Sequence, residues 1–229
     1  MIMTVGDSRV GKSTVSKLLI DLLLQQEKKV KVYDHDNRQR LKAYEEVAII
    51  EKLDFFEDET DKFLMTLNKR EFDVLLIDMP GQYINKICQY INQVELFSLL
   101  ADYKWKLTFL QPISHRLDCL DYLKTLLELA AFNANYVVVK NQHFGTRFTE
   151  YQSIQHKLAL VGGVDVELTG LHREMYEVLE RRGKPYSMAS NDMSIYLIYR
   201  QYIHQWIKKF STSIFSKNIA IQYLGLEAK

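Results

Sequence analysis

The chain has 229 residues, 47% hydrophobic and 26% charged. That apolar mass suits one sizeable α/β domain, or such a domain with a helical extension, and excludes a long disordered linker. A formal net charge of +1 excludes a surface wrapped all round in nucleic acid but leaves room for a local basic face.

In chain order, Ile2–Val5 reads as a short buried strand stopped by Gly6, followed by a helix over 13–26 with Val15, Leu18, Leu19, Leu22 and Leu23 on one face. Lys29–Tyr33 reads as a second strand ending in Asp34-His35-Asp36. Strand, glycine turn, helix and strand make a βαβ unit, which predicts a parallel sheet with right-handed crossovers. Helices are expected over 39–50 and 57–69. Phe72–Ile77 is a solid apolar strand closed by Asp78-Met79-Pro80-Gly81. A helix over 84–100, a strand over 105–110, a helix over 117–131 and a strand at Tyr136–Val139 follow, the last ending in Lys140-Asn141. A helix over 148–160, a strand over 164–168 and a helix over 171–182 closed by Gly183 complete the alternation. Residues 193–210 carry Ile195, Tyr199, Tyr202, Ile203, Trp206 and Phe210 near helical spacing and predict a closing helix.

The predicted fold is α/β, with a mostly parallel central sheet, helices on both faces and a C-terminal helical extension. The expected division is a nucleotide-binding domain over 1–190 and an extension over 191–229 packed on it. Cys88 and Cys119 lie far apart in no metal-ligand spacing and read as reduced core thiols. The start of the chain meets glycine and charge too soon for a secretory leader, so a cytoplasmic location is expected.

The segment Gly6-Asp7-Ser8-Arg9-Val10-Gly11-Lys12-Ser13 fits GxxxxGK[ST] at every fixed position. A loop that wraps phosphates with backbone N–H groups must lack Cβ atoms at its tightest points, and the helix after it aims its first N–H groups at the anion. In such a loop Lys12 neutralises the β- and γ-phosphates, and the Ser13 hydroxyl ligates Mg²⁺. The second carboxylate needed on the Mg²⁺ side is expected from Asp78, at the carboxyl end of its strand. Asp34 and Asp36 fall on the same sheet edge, and only one of them is expected to face the phosphate; Asp36 is favoured to orient the attacking water. His35 between them should face away. Asn141, at another strand end, could read a nucleobase with its amide.

These segments together resemble the MinD/ParA-like branch of P-loop NTPases, dimerising ATPases that position plasmids, chromosomes and division sites. The matching segments are GDSRVGKST at 6–14, VYDHD at 32–36, VLLIDMPG at 74–81 and VVVKN at 137–141. The resemblance implies Lys12, Ser13 and Thr14 around the phosphates, Asp36 for hydrolysis, Asp78 for Mg²⁺ and Asn141 for the base, with ATP preferred to GTP. It covers about residues 1–185 and looks most like the smaller plasmid-borne StbB-type proteins of plasmid stability and conjugation. One departure matters: where the family carries a signature Lys-Gly-Gly, with a lysine that reaches the partner's phosphate, this chain has Asp7-Ser8-Arg9. Arg9 could supply that charge from a neighbouring position, or the contact is lost.

The expectation is a slow, Mg²⁺-dependent ATPase switch, forming a nucleotide-dependent homodimer and read by a regulatory or DNA-binding partner. Two alternatives stand beside it. One is a small-molecule kinase or ATP-dependent ligase of the dethiobiotin synthetase type, for which Arg181, Arg182 and Lys184 are the basic lid candidates and His115-Arg116 touch substrate or an interface. The other is a module that holds nucleotide without turnover. Basic clusters at Lys28-Lys29-Lys31, Arg38-Arg40-Lys42 and Lys208-Lys209 read as solvated surface, though non-specific DNA contact is possible within the family. The helix at 193–210 has features of an interfacial membrane helix, but packing on the sheet is favoured.

Overall fold

The computed structural model describes residues 1–35, 40–54 and 60–228. Asp36, the expected hydrolytic carboxylate, and Arg38 lie outside the described residues. Among those described, seven strands form one sheet: β1 (Ile2–Thr4), β2 (Val30–Asp34), β3 (Ile49–Lys52), β4 (Val74–Asp78), β5 (Thr108–Ile113), β6 (Asn135–Asn141) and β7 (Val164–Leu168). Their order is β3-β2-β4-β1-β5-β6-β7, and every pairing is parallel. β1 is central, and the chain builds outward on one side of it before crossing to the other. The carboxyl end of β1 is therefore a switch point, where an α/β sheet opens a crevice.

The inner strands are near-continuous apolar runs because both sheet faces are covered. One face buries Met3, Tyr33, Leu75, Ile77, Phe109, Tyr136 and Val138. Beneath it lie α2 (Thr60–Lys69), α3 (Ile84–Gln93), α4 (Leu96–Asp102), α5 (Leu117–Ala130) and α6 (Thr149–Leu160), which contribute Phe63, Ile87, Leu96, Leu123 and Ile154. The opposite face buries Ile2, Val32, Leu76, Leu110, Val137 and Val166. It is covered by α1 (Lys12–Gln25), α7 (Arg173–Arg182), α8 (Tyr186–Ala189), α9 (Leu197–Phe215) and α10 (Asn218–Tyr223), which contribute Leu19, Leu179, Ala189, Phe210 and Ala220. Side chains alternate along a strand. Thr4, Asp34, Asp78 and Asn141 share parity with Ile2, Val32, Leu76 and Val139, so all four reach the α1 side of the sheet at its carboxyl edge.

Three expectations are corrected. Residues 39–50 do not form one helix: a 3-10 turn at Lys42–Tyr44 leads into β3, whose Lys31-to-Ile49 register adds it to the sheet edge. The stretch AYEEVAII has helix-forming Ala and Glu, but its β-branched end pairs with β2, and tertiary pairing overrides propensity. The helix over 84–100 is broken into α3 and α4 at Glu95, which takes a left-handed φ of 47° with no glycine or proline to announce it. The closing helix runs four residues later than expected at its start and extends to Phe215, leaving Tyr202 of the proposed apolar stripe exposed. Smaller shifts move β2, β4 and β5 toward their carboxyl ends, with the result that Asp34 and Asp78 are strand residues.

The C-terminal helices are tied to the sheet by specific bonds. Trp206 Nε1 donates to the Thr169 carbonyl at 2.7 Å, and its ring packs 5.7 Å from that of Tyr186. Thr108 Oγ1 donates to the Tyr223 carbonyl at 2.8 Å. Trp206→Phe keeps the ring but strands the Thr169 carbonyl, so it should cost about 1–2 kcal/mol in a urea melt. An unchanged midpoint would show that this bond contributes nothing. Among the described residues no helix is long and apolar enough to cross a membrane. Trp206, the aromatic suggesting an interfacial helix, is buried.

Candidate functional site

The loop between β1 and α1 is shaped by its glycines. Gly6 has φ 130° and a Cβ there would sit 3.3 Å from the Pro112 carbonyl oxygen, while Gly11 has φ 97° and would place a Cβ 2.6 Å from Asn141 Nδ2. Arg9 takes a left-handed φ of 62°. Gly11 is the N-cap of α1 and offers no side-chain cap, which suits that helix end to an incoming anion. Lys12 is buried, and its Nζ donates to the Asp7 carbonyl at 2.7 Å, folding the ammonium back over the loop.

Asn141 clamps this loop from β6. Its Nδ2 donates to the Val10 carbonyl at 2.9 Å, and its Oδ1 accepts from the His143 N–H at 3.1 Å. The residue expected to read a base thus first fixes the loop, with one N–H and one lone pair remaining on the amide.

Asp78 ends β4 directly behind α1. Ser16 Oγ lies as a donor 2.9 Å from its Oδ1 and 3.0 Å from Thr4 Oγ1, with one proton to share between the carboxylate and the threonine hydroxyl. Burial pushes the Asp78 carboxyl up to about 6, against the hydrogen bonds of Ser16 and Ser13; the Asp34 charge raises it further and Lys12 opposes. Asp34 is its register partner on β2. The site therefore holds two neighbouring buried carboxylates, one of them bonded to two serines a single helical turn apart. That arrangement suits a divalent cation, which would relieve both desolvation and like-charge repulsion. Among the described residues no group of three or more His, Cys, Asp or Glu side chains could hold a metal by itself, so a cation here would take its remaining ligands from phosphate and water.

The segment after β4 leans on the loop. Met79 N–H donates to the Thr4 carbonyl at 3.1 Å, and a Cβ on Gly81 would meet Ser8 Cα at 2.7 Å. His35 faces elsewhere, with Nδ1 2.7 Å from the Leu53 carbonyl oxygen. A cavity of about 210 Å³ opens beside the loop, lined by Arg9, Gly11, Thr14, Asn141, Phe144 and Tyr176 among others. Thr14 Oγ1 lies 3.1 Å from the Tyr176 hydroxyl, which joins the loop's helix to α7.

The structure thus brings together residues 6–14, Asp78 and Asn141, places Asp34, the alternative to Asp36, beside Asp78, sets Arg116, of the pair expected to touch substrate or an interface, against Asp7, and adds two residues that the sequence did not single out: Ser16 and Tyr176. Ser16 had a usable signal, lying three residues after Ser13 and so on the same helix face. Tyr176 had none, because it meets Thr14 from 162 residues away. Arg116 bonds Asp7 and Asp118. The basic lid candidates are spent at the surface: Lys184 pairs with Asp192 at 2.9 Å, Arg182 donates to the Ser194 carbonyl at 3.0 Å, and the exposed Arg181 sits 3.8 Å from Glu177.

No protein-family model and no curated protein matches the chain. Solved structures do. The MinD cell division protein of Aquifex aeolicus has a TM-score of 0.51 at 15% identity, over 92% of this chain and 96% of its own. MinD of Pyrococcus horikoshii, complexed with Mg-ADP, has a TM-score of 0.53 at 13% identity, over 89% of this chain and 93% of its own. The signal recognition particle receptor FtsY of Elizabethkingia anophelis also scores 0.53, at 14% identity, over 90% of this chain but only 64% of the receptor. The likeness establishes a shared architecture: the chain has the P-loop NTPase fold.

Proposed function

We propose that this chain is a nucleotide-dependent switch that binds a nucleoside triphosphate with Mg²⁺ at the 6–14 loop and hydrolyses it slowly. The observation that carries the proposal is the clamped loop. Asn141 holds it open at a helix end that lacks a side-chain cap, with the buried Asp78 and Ser13 at its base. In this assignment the loop N–H groups, Lys12 and Thr14 bind phosphate. Ser13 and Asp78 are the residues that would hold Mg²⁺, whose charge would offset that of the terminal phosphates. Asp36 is assigned to orienting water from its sequence position, and Asn141 to the base, with ATP preferred to GTP.

The MinC:MinD complex of Aquifex aeolicus, whose structure is similar to 92% of this chain at a TM-score of 0.51, supports a switch that works through a partner protein, and the nucleotide-dependent homodimer is proposed from the sequence resemblance. Among such switches we place it with the plasmid partition, stability or conjugation proteins of StbB type, on the strength of the four sequence segments. In the first basic cluster two of the three lysines are already offset by carboxylates, Lys28 by Glu227 and Lys31 by Glu51 at 3.0 Å.

The test measures ATP and GTP turnover and oligomeric state together, with and without nucleotide, for wild type and Lys12→Ala. Slow ATP turnover, assembly driven by ATP and loss of both in Lys12→Ala are expected. A persistent monomer that consumes ATP only with a small acceptor would make it a kinase or ligase. Tight binding with no turnover, alone or with a partner, would make it a holding module.

A further inference from the structure

Position 7 lies inside the phosphate loop, yet it carries a carboxylate. Asp7 is only 6% exposed, and its backbone oxygen holds Lys12 Nζ. The residue therefore belongs to the cradle itself. A bare carboxylate there would repel the terminal phosphate of any bound triphosphate. It is not bare: Arg116, from the loop between β5 and α5, forms an ion pair with it.

The way Arg116 is held points beyond neutralisation. Its bonds to Asp7 and to Asp118, the latter at 2.9 Å, both leave from Nη2. A guanidinium carries five N–H donors in a planar fork. Among the described residues no bond is seen from Nε or Nη1, and the side chain is 39% exposed. The loop that carries it is fixed against the cradle as well. Its Arg116 N–H donates to Ser114 Oγ at 3.3 Å, Gln111 Nε2 bonds the Cys119 carbonyl at 2.9 Å, and the Pro112 carbonyl oxygen would lie 3.3 Å from a Cβ on Gly6. Asp7 thus acts as a bracket that holds a planar cation beside the phosphate loop; both two-donor forks of a guanidinium include Nη2, so Nη1 and Nε are left as single donors for a charge-assisted bond to phosphate.

We propose that Arg116 is a phosphate-binding residue supplied by the same chain, bracketed by Asp7 and aimed at the terminal phosphate of the bound nucleoside triphosphate. The proposal rests on the nucleotide-binding function above. Its consequence is that the positive charge at the phosphate mouth does not have to come from Arg9 or from a second copy.

The experiment compares the affinities of ATPγS and ADP, with Mg²⁺ present, for wild type, Lys12→Ala, Arg116→Ala, Arg116→Lys and the double variant Asp7→Asn/Arg116→Ala. Thermal melts run alongside. Arg116→Ala should weaken ATPγS by about tenfold or more, as expected for one lost charge-assisted bond, and ADP much less. Arg116→Lys should recover part of the loss. The double variant has the same net charge as wild type and leaves no buried charge unpaired, so it remains informative even if Arg116→Ala folds poorly. It should still bind ATPγS weakly. Wild-type affinity in the double variant, or equal losses for ATPγS and ADP in Arg116→Ala, would show that Arg116 only neutralises Asp7 and would overturn the proposal. Binding that is lost in Lys12→Ala but unaltered in every Arg116 variant would overturn this proposal alone. Absence of binding by the wild type would overturn the nucleotide-binding function and this inference with it.

Discussion

Gly11→Ala should lose nucleotide binding and cost the fold about 2–5 kcal/mol, through backbone strain and one stranded buried carbonyl. Two effects act at the same atom. The residue sits at φ 97°, where any side chain is strained, and its new Cβ would lie 2.6 Å from Asn141 Nδ2. Asn141 can yield only by giving up its bond to the Val10 carbonyl, in a stretch where Val10 is fully buried. The clamp and the loop conformation would fail together, and the phosphate site with them. Gly183→Ala provides the comparison. That glycine closes α7 at φ 58° with nothing within 4 Å of the Cβ that alanine would add, so only conformational strain of about 1–2 kcal/mol applies and binding should be untouched. Thermal melts and ATPγS titrations of both variants decide the matter. Equal destabilisation, with binding retained by Gly11→Ala, would mean that the Asn141 clamp does not shape the loop.

The difference between these two glycines shows what the sequence could and could not disclose. Gly11 stood in a local pattern with a single purpose, so its role was legible from GxxxxGK[ST]. Asp78 was legible because VLLID is a run that only a strand buried on both faces tolerates, and a polar residue ending such a run sits at the sheet's carboxyl edge. Asn141 was legible in position but not in its bonding, since nothing local says that its amide spans to Val10. The Asp7–Arg116 pair was out of reach because it depends on how β5 packs beside β1, an arrangement fixed by the whole sheet. β3 was missed for the opposite reason. Its local sequence favours helix, and only the open edge of β2 makes it a strand.

Asp78→Asn should stabilise the nucleotide-free chain at neutral pH while abolishing Mg²⁺-dependent turnover. Burial holds the folded carboxyl at about 6, above its ordinary 3.8. Between these values the native chain binds more protons than the unfolded one, so stability falls as pH rises through that window, and the whole cost is present at pH 7. A shift of this size corresponds to at most about 3 kcal/mol; the loss of the ideal acceptor for Ser13 and Ser16 leaves an expected gain of about 1–2 kcal/mol. Asp21 is raised to about 6 as well, with burial again the largest cause, but its carboxylate accepts bonds from Ser187 N–H, Ser187 Oγ and Tyr44 Oη. Asp21→Asn would give up bonds that hold α8 and should gain nothing. Stability of both variants and wild type, followed by denaturant melts from pH 4 to 8, separates the two carboxylates: the slope should flatten in Asp78→Asn, with higher stability at pH 7. A lower midpoint at pH 7, or turnover that survives the substitution, would sink the assignment. If the gain and the loss appear together, Asp78 is a charge kept at a cost to the fold because a cation and a triphosphate complete its surroundings, and binding them should then restore by linkage the stability that the ionised carboxylate withholds.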